Sequence, residues 1–451
     1  MSRNTRWSVA LFGVLALVFV IGLVLTGGRE DVPGAVVDGA PLSEEQEKAA
    51  FAQQLMEALR ASGVPGEPRY EPQHFRIQTR GPDGGVGMTL FLANTYREYQ
   101  AAPPERRAEV IARMVKVNLP VDSPASYEEV RPNLMLVVRA RTSFELLAEH
   151  VGGLGLPSTR GKVPVAWRPL GEVLAVALVQ DTPDAMRYLS PEDLERWGVS
   201  FDQASADAVA NLRLLGAAPL TPLAPGACAL STNDSYGASR LLLGEVIHRC
   251  EVKGEPVVLV PNRDTLFITG SGDAKGLLAV AEAAQAAIQA PRPVDGRALR
   301  LAPDGWKPFL PEPGSPSRSI LQRLAVESRA NDYQEQGARL AQQHAREGTD
   351  LFVADFIPED DEHGRSFGQA VWVSGIDTLL PRADVLIFMD QELGPKAPPV
   401  AVVRWDLVVR DAGLLLMPEP GMYPERYRVT GFPSKAQLEK WKREPTAMDV
   451  P

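Results

Sequence analysis

Residues 7–26, WSVALFGVLALVFVIGLVLT, form a run of twenty without a single charge. At about 1.5 Å per helical residue such a run matches a hydrocarbon core of about 30 Å. A cleaved signal peptide has a shorter apolar core and a small-x-small cleavage site, whereas LTGGRED comes directly after this run, so it reads as an uncleaved anchor. Arg3 and Arg6 precede it, while Arg29 behind it is offset by Glu30 and Asp31. The positive-inside rule then keeps the N-terminus cytoplasmic. The expected protein is single-pass in a cell inner membrane, with its main domains in the periplasm of a Gram-negative cell.

Beyond the anchor the chain has the composition of folded material. It has 451 residues, 45% hydrophobic and 23% charged, enough for two or three domains with real cores. The formal net charge of -10 leaves no basic excess to displace counterions from phosphates, so nucleic acid is excluded as a partner. Cys228 and Cys250 are the only cysteines. In an oxidising compartment they either form one bridge or remain two buried thiols.

Pattern and turn signals predict an α+β fold: a transmembrane helix, a domain of αββα-like units around a mixed sheet, and a second C-terminal α+β domain. The expected divisions are an anchor at 1–27, a tether at 28–43, a first α+β domain at 44–290, a Pro-rich linker at 291–317, a second domain at 318–443 and a tail at 444–451. Ser43 and Gln46 have capping-box spacing ahead of an amphipathic helix that ends near Gly63. HFRIQT and VGMTLFL alternate around a Gly-rich turn, and PERRAEVIARMVKV closes the unit as a helix. The same order recurs downstream, with SYGASRLLLGEVIHRCEV as helix, PVVLVPNRDTLFITGS as hairpin and GDAKGLLAVAEAAQAAIQ as closing helix. After the prolines between Pro291 and Pro316, a long helix from ILQRL and several strands fit an antiparallel second domain.

No complete catalytic motif occurs. The five histidines lack the paired spacings of zinc sites, no G-x-S-x-G elbow is present, and neither a metal nor a cofactor is expected. In DTPDAMRYLSPEDLERWGVSFDQ the acids read as helix caps: Asp181 or Thr182 before Pro183, Ser190 with Pro191 and Asp193, Gly198 as a stop, and Ser200 with Gln203. GSGDAKG lacks the ending of a P-loop and reads as a strand-to-helix turn. PEDDEHGR, with Glu359 to His363, reads as a solvated hairpin tip rather than a calcium loop.

Taken together, Asp181, the DAVANL segment at 207–212, Ala238-Ser239-Arg240 and the Pro-Asn-Arg-Asp hairpin at 261–264 resemble the YtpQ-like bacterial family of unknown function, over about residues 44–290. The resemblance implies a fold and no assigned reaction. Members are compact and cytosolic, whereas this chain adds a membrane span before the domain and a second domain after it.

The hairpin itself poses a question. A two-residue loop favours positive φ at both central positions, which Asn262 accepts and Arg263 does not. Either the turn is longer and of type I, or Arg263 is held by a partner such as Asp234 or Asp264. The charges then serve as a structural ion pair, or Asn233, Asp234, Ser239, Arg240, Asn262, Arg263 and Asp264 form a site for a polar ligand. The leading expectation is a non-catalytic binding or scaffold protein with a protein partner or a small polar ligand. The alternative is a hydrolase-type enzyme using Asp181, Asp234 or Asp264 as acid or base. For topology, a reporter active only in the periplasm, fused after Pro451, should be active, and activity of a cytoplasm-only reporter would reverse the assigned orientation.

Overall fold

The computed structural model describes residues 43–64, 66–80, 86–117, 124–145, 165–182, 186–216, 218–394 and 396–443. The apolar run at 7–26, the rest of the tether and the tail at 444–451 lie outside the described residues. Among those described, no helix is long and apolar enough to cross a membrane. The described chain divides into two units, one ending at Ser328 and the other beginning at Arg329.

The first unit opens with helix α1 (Glu44–Ala61), capped as the spacing predicts: Ser43 Oγ accepts from the Gln46 N–H, and the Gln46 side chain accepts from the Ser43 N–H. Phe51, Leu55 and Leu59 lie at helical spacing on its buried face and pack with Ile77 and Leu90 of an antiparallel sheet, β1 (Glu67–Glu71), β2 (Arg76–Arg80) and β3 (Val86–Phe91). Helices α2 (Ala93–Ala101) and α3 (Arg107–Val117) complete this part. The expected αββα unit lacked β1, because EPRYE has no hydrophobic alternation to announce a strand.

Two further sheets face each other across the main core. The smaller joins β4 (Leu134–Ala140), β5 (Trp167–Leu170), β6 (Leu174–Asp181) and β7 (Met186–Tyr188). The larger joins β8 (Leu220–Ala224), β9 (Ala227–Ser231), β10 (Pro256–Asn262), β11 (Thr265–Gly270), β12 (Pro293–Ala302) and β13 (Gly305–Pro308), in the order β13-β12-β10-β11-β9-β8. Val137, Ala177 and Val179 from the first meet Val258, Val260, Leu266 and Ile268 from the second. On the far side of the larger sheet, Val257, Leu259 and Phe267 pack under helix α4 (Ala274–Ala287) through Leu277, Val280 and Ala284. On the far side of the smaller, Leu134, Leu136 and Leu178 pack with Leu194 of α5 (Pro191–Trp197) and Ala204 and Ala208 of α6 (Phe201–Leu214). The result is four layers, helix, sheet, sheet and helix. Strands β10 and β11 are buried on both faces, which is why VVLV and LFIT are continuous apolar runs rather than alternating ones.

Several expectations change here. Every strand pair in the first unit is antiparallel, so its sheets are not mixed. The stretch 291–317 is not a linker, because β12 pairs with β10 inside the larger sheet. Its prolines deceive because Pro293 and Pro308 sit at strand ends, where a missing N–H is tolerated. The long helix α7 (Arg318–Glu347) contributes Leu321 and Leu324 to the first unit's core, so the division falls within it. The segment read as a continuous helix before Cys250 is a 3-10 turn (Ala238–Leu242) and a five-residue helix (Gly244–His248). Cys228 and Cys250 are joined by a disulfide, which closes the alternative of two thiols.

The second unit holds two four-stranded sheets, with orders β14-β17-β21-β20 and β15-β16-β18-β19. Their strands are β14 (Phe352–Val353), β15 (Ile357–Asp360), β16 (Ser366–Val373), β17 (Thr378–Pro381), β18 (Val385–Met389), β19 (Ala401–Arg404), β20 (Leu416–Pro418) and β21 (Arg426–Val429). The pairs β14 with β17 and β16 with β18 are parallel, against the antiparallel expectation, because the chain visits one sheet between strands of the other. Trp372, Phe388, Phe432 and Trp441 stack into its aromatic core.

At 1% exposure Arg426 is the most deeply buried of this unit's described cations, and neutral acceptors surround it. Its guanidinium donates to Gln336 Oε1 at 2.7 Å, to the carbonyls of Ala354 at 2.7 Å and Leu379 at 3.1 Å, and to that of Tyr333 at 3.3 Å. Burial still brings its pKa down to about 10. Arg426→Met would strand those acceptors. It should lower stability by about 3 kcal/mol or more, read as a fall in the denaturation midpoint.

Candidate functional site

The β10–β11 hairpin turns through Arg263 and Asp264, with Asn262 opposite Thr265. Neither central residue has positive φ, and a register shift between Leu259 and Asn262 absorbs the twist instead. The turn is held from within and without. Asn262 Oδ1 accepts from the Asp264 N–H at 3.0 Å, and its Nδ2 donates to the Ala287 carbonyl at 2.9 Å. The Asp264 carboxylate accepts from the Ser235 N–H at 2.8 Å, and its carbonyl accepts from the Thr232 N–H at 2.9 Å. Gly237 passes so close that a Cβ there would stand 2.2 Å from the Asp264 carbonyl. The left-handed backbone falls on the residues that clasp the turn, Ser235 at φ 65° and Arg292 at φ 61°.

Most of the seven residues singled out from sequence are committed to this architecture. Asp234 receives both arms of Arg240, at 3.1 and 2.7 Å, together with the Thr232 hydroxyl and the Tyr236 N–H. Burial works to raise the Asp234 carboxyl, but the bonds from Arg240 and Thr232 outweigh it and hold it below the usual carboxylate range. Ser239, fully buried, accepts from the Val138 N–H at 3.2 Å and ties the hairpin region to β4. Asn233 is exposed.

Arg263 is different. No carboxylate among the described residues pairs with it, so the expected ion pair with Asp234 or Asp264 is not formed: Arg240 takes the first and the turn takes the second. Its Nε is buried without a hydrogen-bond partner. Burial, then the charge of Arg139, brings its guanidinium well below its ordinary value, to about 10. Arg292 adds to the fall, while Tyr188 and Glu98 oppose it. Glu98 is already engaged, since it accepts from Arg292 Nε at 2.6 Å and also from Arg113. Arg139, at 5% exposure, donates one arm to the Val138 carbonyl at 2.7 Å and leaves its own Nε without a partner.

Backbone contacts explain this gathering. The Arg263 N–H donates to the Arg292 carbonyl at 3.2 Å, and the Arg263 carbonyl accepts from the Ala238 N–H at 2.9 Å. Ala238 adjoins Ser239, whose bond to Val138 brings the end of β4, and with it Arg139, to the same place. Sequence reasoning missed Arg139, Arg292, Tyr188 and Glu98. One signal was present: Arg139 is the lone charge in the apolar strand LMLVVRA.

Asp181 ends β6 rather than capping a helix, and residues 183–185, where that helix was expected to start, lie outside the described residues. It borders a cavity of about 420 Å³ with Met135, Asn211 and Leu214. The Tyr236 hydroxyl faces it without completing a hydrogen bond, and burial raises both groups, the phenol further by the Asp181 charge and Asp181 by that of Asp234. The three aspartates do not converge, because only Asp181 reaches the cavity.

The other segments have structural roles. The Ser190–Asp193 box, the Gly198 stop and the Ser200 cap form as spaced. Asp273 caps α4 by accepting from the Gly276 N–H, so in GSGDAKG a carboxylate of the chain itself occupies the helix start. Asp361 closes its own loop by accepting from the N–H groups of His363 and Arg365. No cluster of three metal-ligating side chains is present among the described residues. Compared with known proteins, the chain matches no family model, no curated protein and no solved structure.

Asp181 supplies a pH test. A carboxyl raised in the folded state contributes stability below its unfolded value of 3.8 and loses it as pH rises through the folded value. Asp181→Asn should therefore be more stable than the wild type at pH 7, and its advantage should disappear on acidification below about pH 4. Thermal midpoints across that range are the measurement.

Proposed function

We propose that the protein is a membrane-anchored, extracytoplasmic binding protein without catalytic activity, and that it engages a polar ligand or partner at the tip of the β10–β11 hairpin. The observation that carries this reading is Arg263, a half-buried side chain whose Nε is buried without a partner and which has no carboxylate partner among the described residues. A cation drawn partly out of water without a counter-charge costs stability, and unlike Arg240, which Asp234 pairs, Arg263 has no such compensation among the described residues. Arg426 is the internal contrast, with the same lowered pKa but with acceptors for each of its guanidinium nitrogens.

Placement across the membrane rests on the apolar run at 7–26 and the arginines before it. The Cys228–Cys250 bridge fits an oxidising compartment. Against a hydrolase stands the disposition of the aspartates, since Asp234 is locked by Arg240 and Asp264 by the turn. The kinship with the YtpQ-like family belongs to this proposal and rests on its four sequence elements.

A residue kept for binding against the interest of stability gives a specific result. Arg263→Met in the detergent-purified full chain should raise the unfolding free energy by about 1 kcal/mol, because an apolar side chain replaces a half-buried charge without a counter-charge. A clear loss of stability would make Arg263 a structural residue and remove the basis for this site.

A further inference from the structure

The site at the hairpin tip has a definite chemical character. Its unpartnered groups are donors: Arg139 Nε, Arg263 Nε and Arg240 Nε are all buried without acceptors among the described residues. Its charges are unequal. Arg139, Arg263 and Arg292 come together from β4, the hairpin turn and the residue preceding β12, and the carboxylate that Arg263 feels, Glu98, is shared by Arg292 and Arg113. Arg292 is satisfied by Glu98 and by Ser235 Oγ at 2.8 Å, which leaves the charges of Arg139 and Arg263 unmet.

The groups are also fixed in place. Arg139 is anchored by its bond to the Val138 carbonyl, Arg263 sits on a turn bonded at both its N–H and its carbonyl, and Arg292 is clamped at two points. Such rigidity lowers the entropic cost of binding. Guanidinium forks match the oxygens of carboxylates and phosphates. Two unmet charges favour a dianion over a monoanion, since a carboxylate would neutralise only one.

We infer that Arg139 and Arg263, with Arg292 beside them, bind a phosphoryl group, either as free phosphate or as the phosphate of a small ester. This rests on the binding reading above and gives its ligand a chemical class. Arg139 and Arg263 are the direct contacts, and Arg292 positions the turn. The acidic net charge of the chain is no obstacle, because the excess of cations is local.

The test is a titration of the detergent-purified full chain with inorganic phosphate, glycerol 3-phosphate, acetate and chloride at constant ionic strength, followed by thermal shift and calorimetry. Phosphate or its ester should raise the melting temperature saturably, the stronger of the two naming the source, while acetate and chloride at equal concentration should not. Arg263→Met should weaken the interaction at least tenfold. So should Arg263→Lys, which keeps the charge and loses the fork, whereas Arg428→Gln in the other unit should bind as the wild type does. A shift that persists in both Arg263 variants, or acetate binding more tightly than either phosphate, would overturn the inference. No saturable shift with any anion, in a protein that Arg263→Met still stabilises, would refute the phosphoryl assignment and leave the binding reading intact. Destabilisation by Arg263→Met would refute both.

Discussion

The pairing of β10 with β11 is the constraint on which the first unit depends. These strands lie in the middle of the larger sheet, with the smaller sheet against one face and α4 against the other. Burial on both sides removes backbone and side chains from water together, so the ladder must be complete and the side chains apolar. A strand pair so constrained carries no charged group along its length. Its turn is the first place where it does, and the turn is where Asn262, Arg263 and Asp264 stand.

That location makes the two kinds of polar residue at the tip distinguishable. Asn262 and Asp264 direct their hydrogen-bonding capacity at the chain itself and would be explained by any tight turn. The Arg263 side chain directs none of its capacity in this way, and it meets two other arginines. Buried arginine is not unusual in itself, as Arg426 demonstrates with its carbonyl acceptors and its position over the Tyr333 ring at 5.2 Å. What separates the two is the supply of acceptors. The fold supplies them to Arg426 and not to Arg263.

The sequence made local structure legible and long-range structure much less so. Ser43, Ser190 and Ser200 could each be read as helix starts because a cap is a matter of three or four neighbouring residues. The α+β class came from the same local patterns. The proline-rich stretch at 291–317 misled because proline reports a missing donor, and at Pro293 and Pro308 the strand ends tolerate that loss. The candidate site was legible only in the part contained in one hairpin. Arg139 and Glu98 are more than a hundred residues from Arg263 in the chain, and no local pattern records that Ser239 draws β4 toward the turn.

Ser235 and Arg292 hold a left-handed backbone that glycine or asparagine adopts more readily. Each nevertheless carries a side chain that is used, since the Ser235 hydroxyl receives Arg292, and Arg292 reaches Glu98. Backbone preference and side-chain use therefore pull in opposite directions at these two positions. Glycine at either position would relax the backbone but forfeit the bonds that run from Ser235 through Arg292 to Glu98. Were the proposed ligand no longer needed, this pair could relax to glycine without any change in the buried strands.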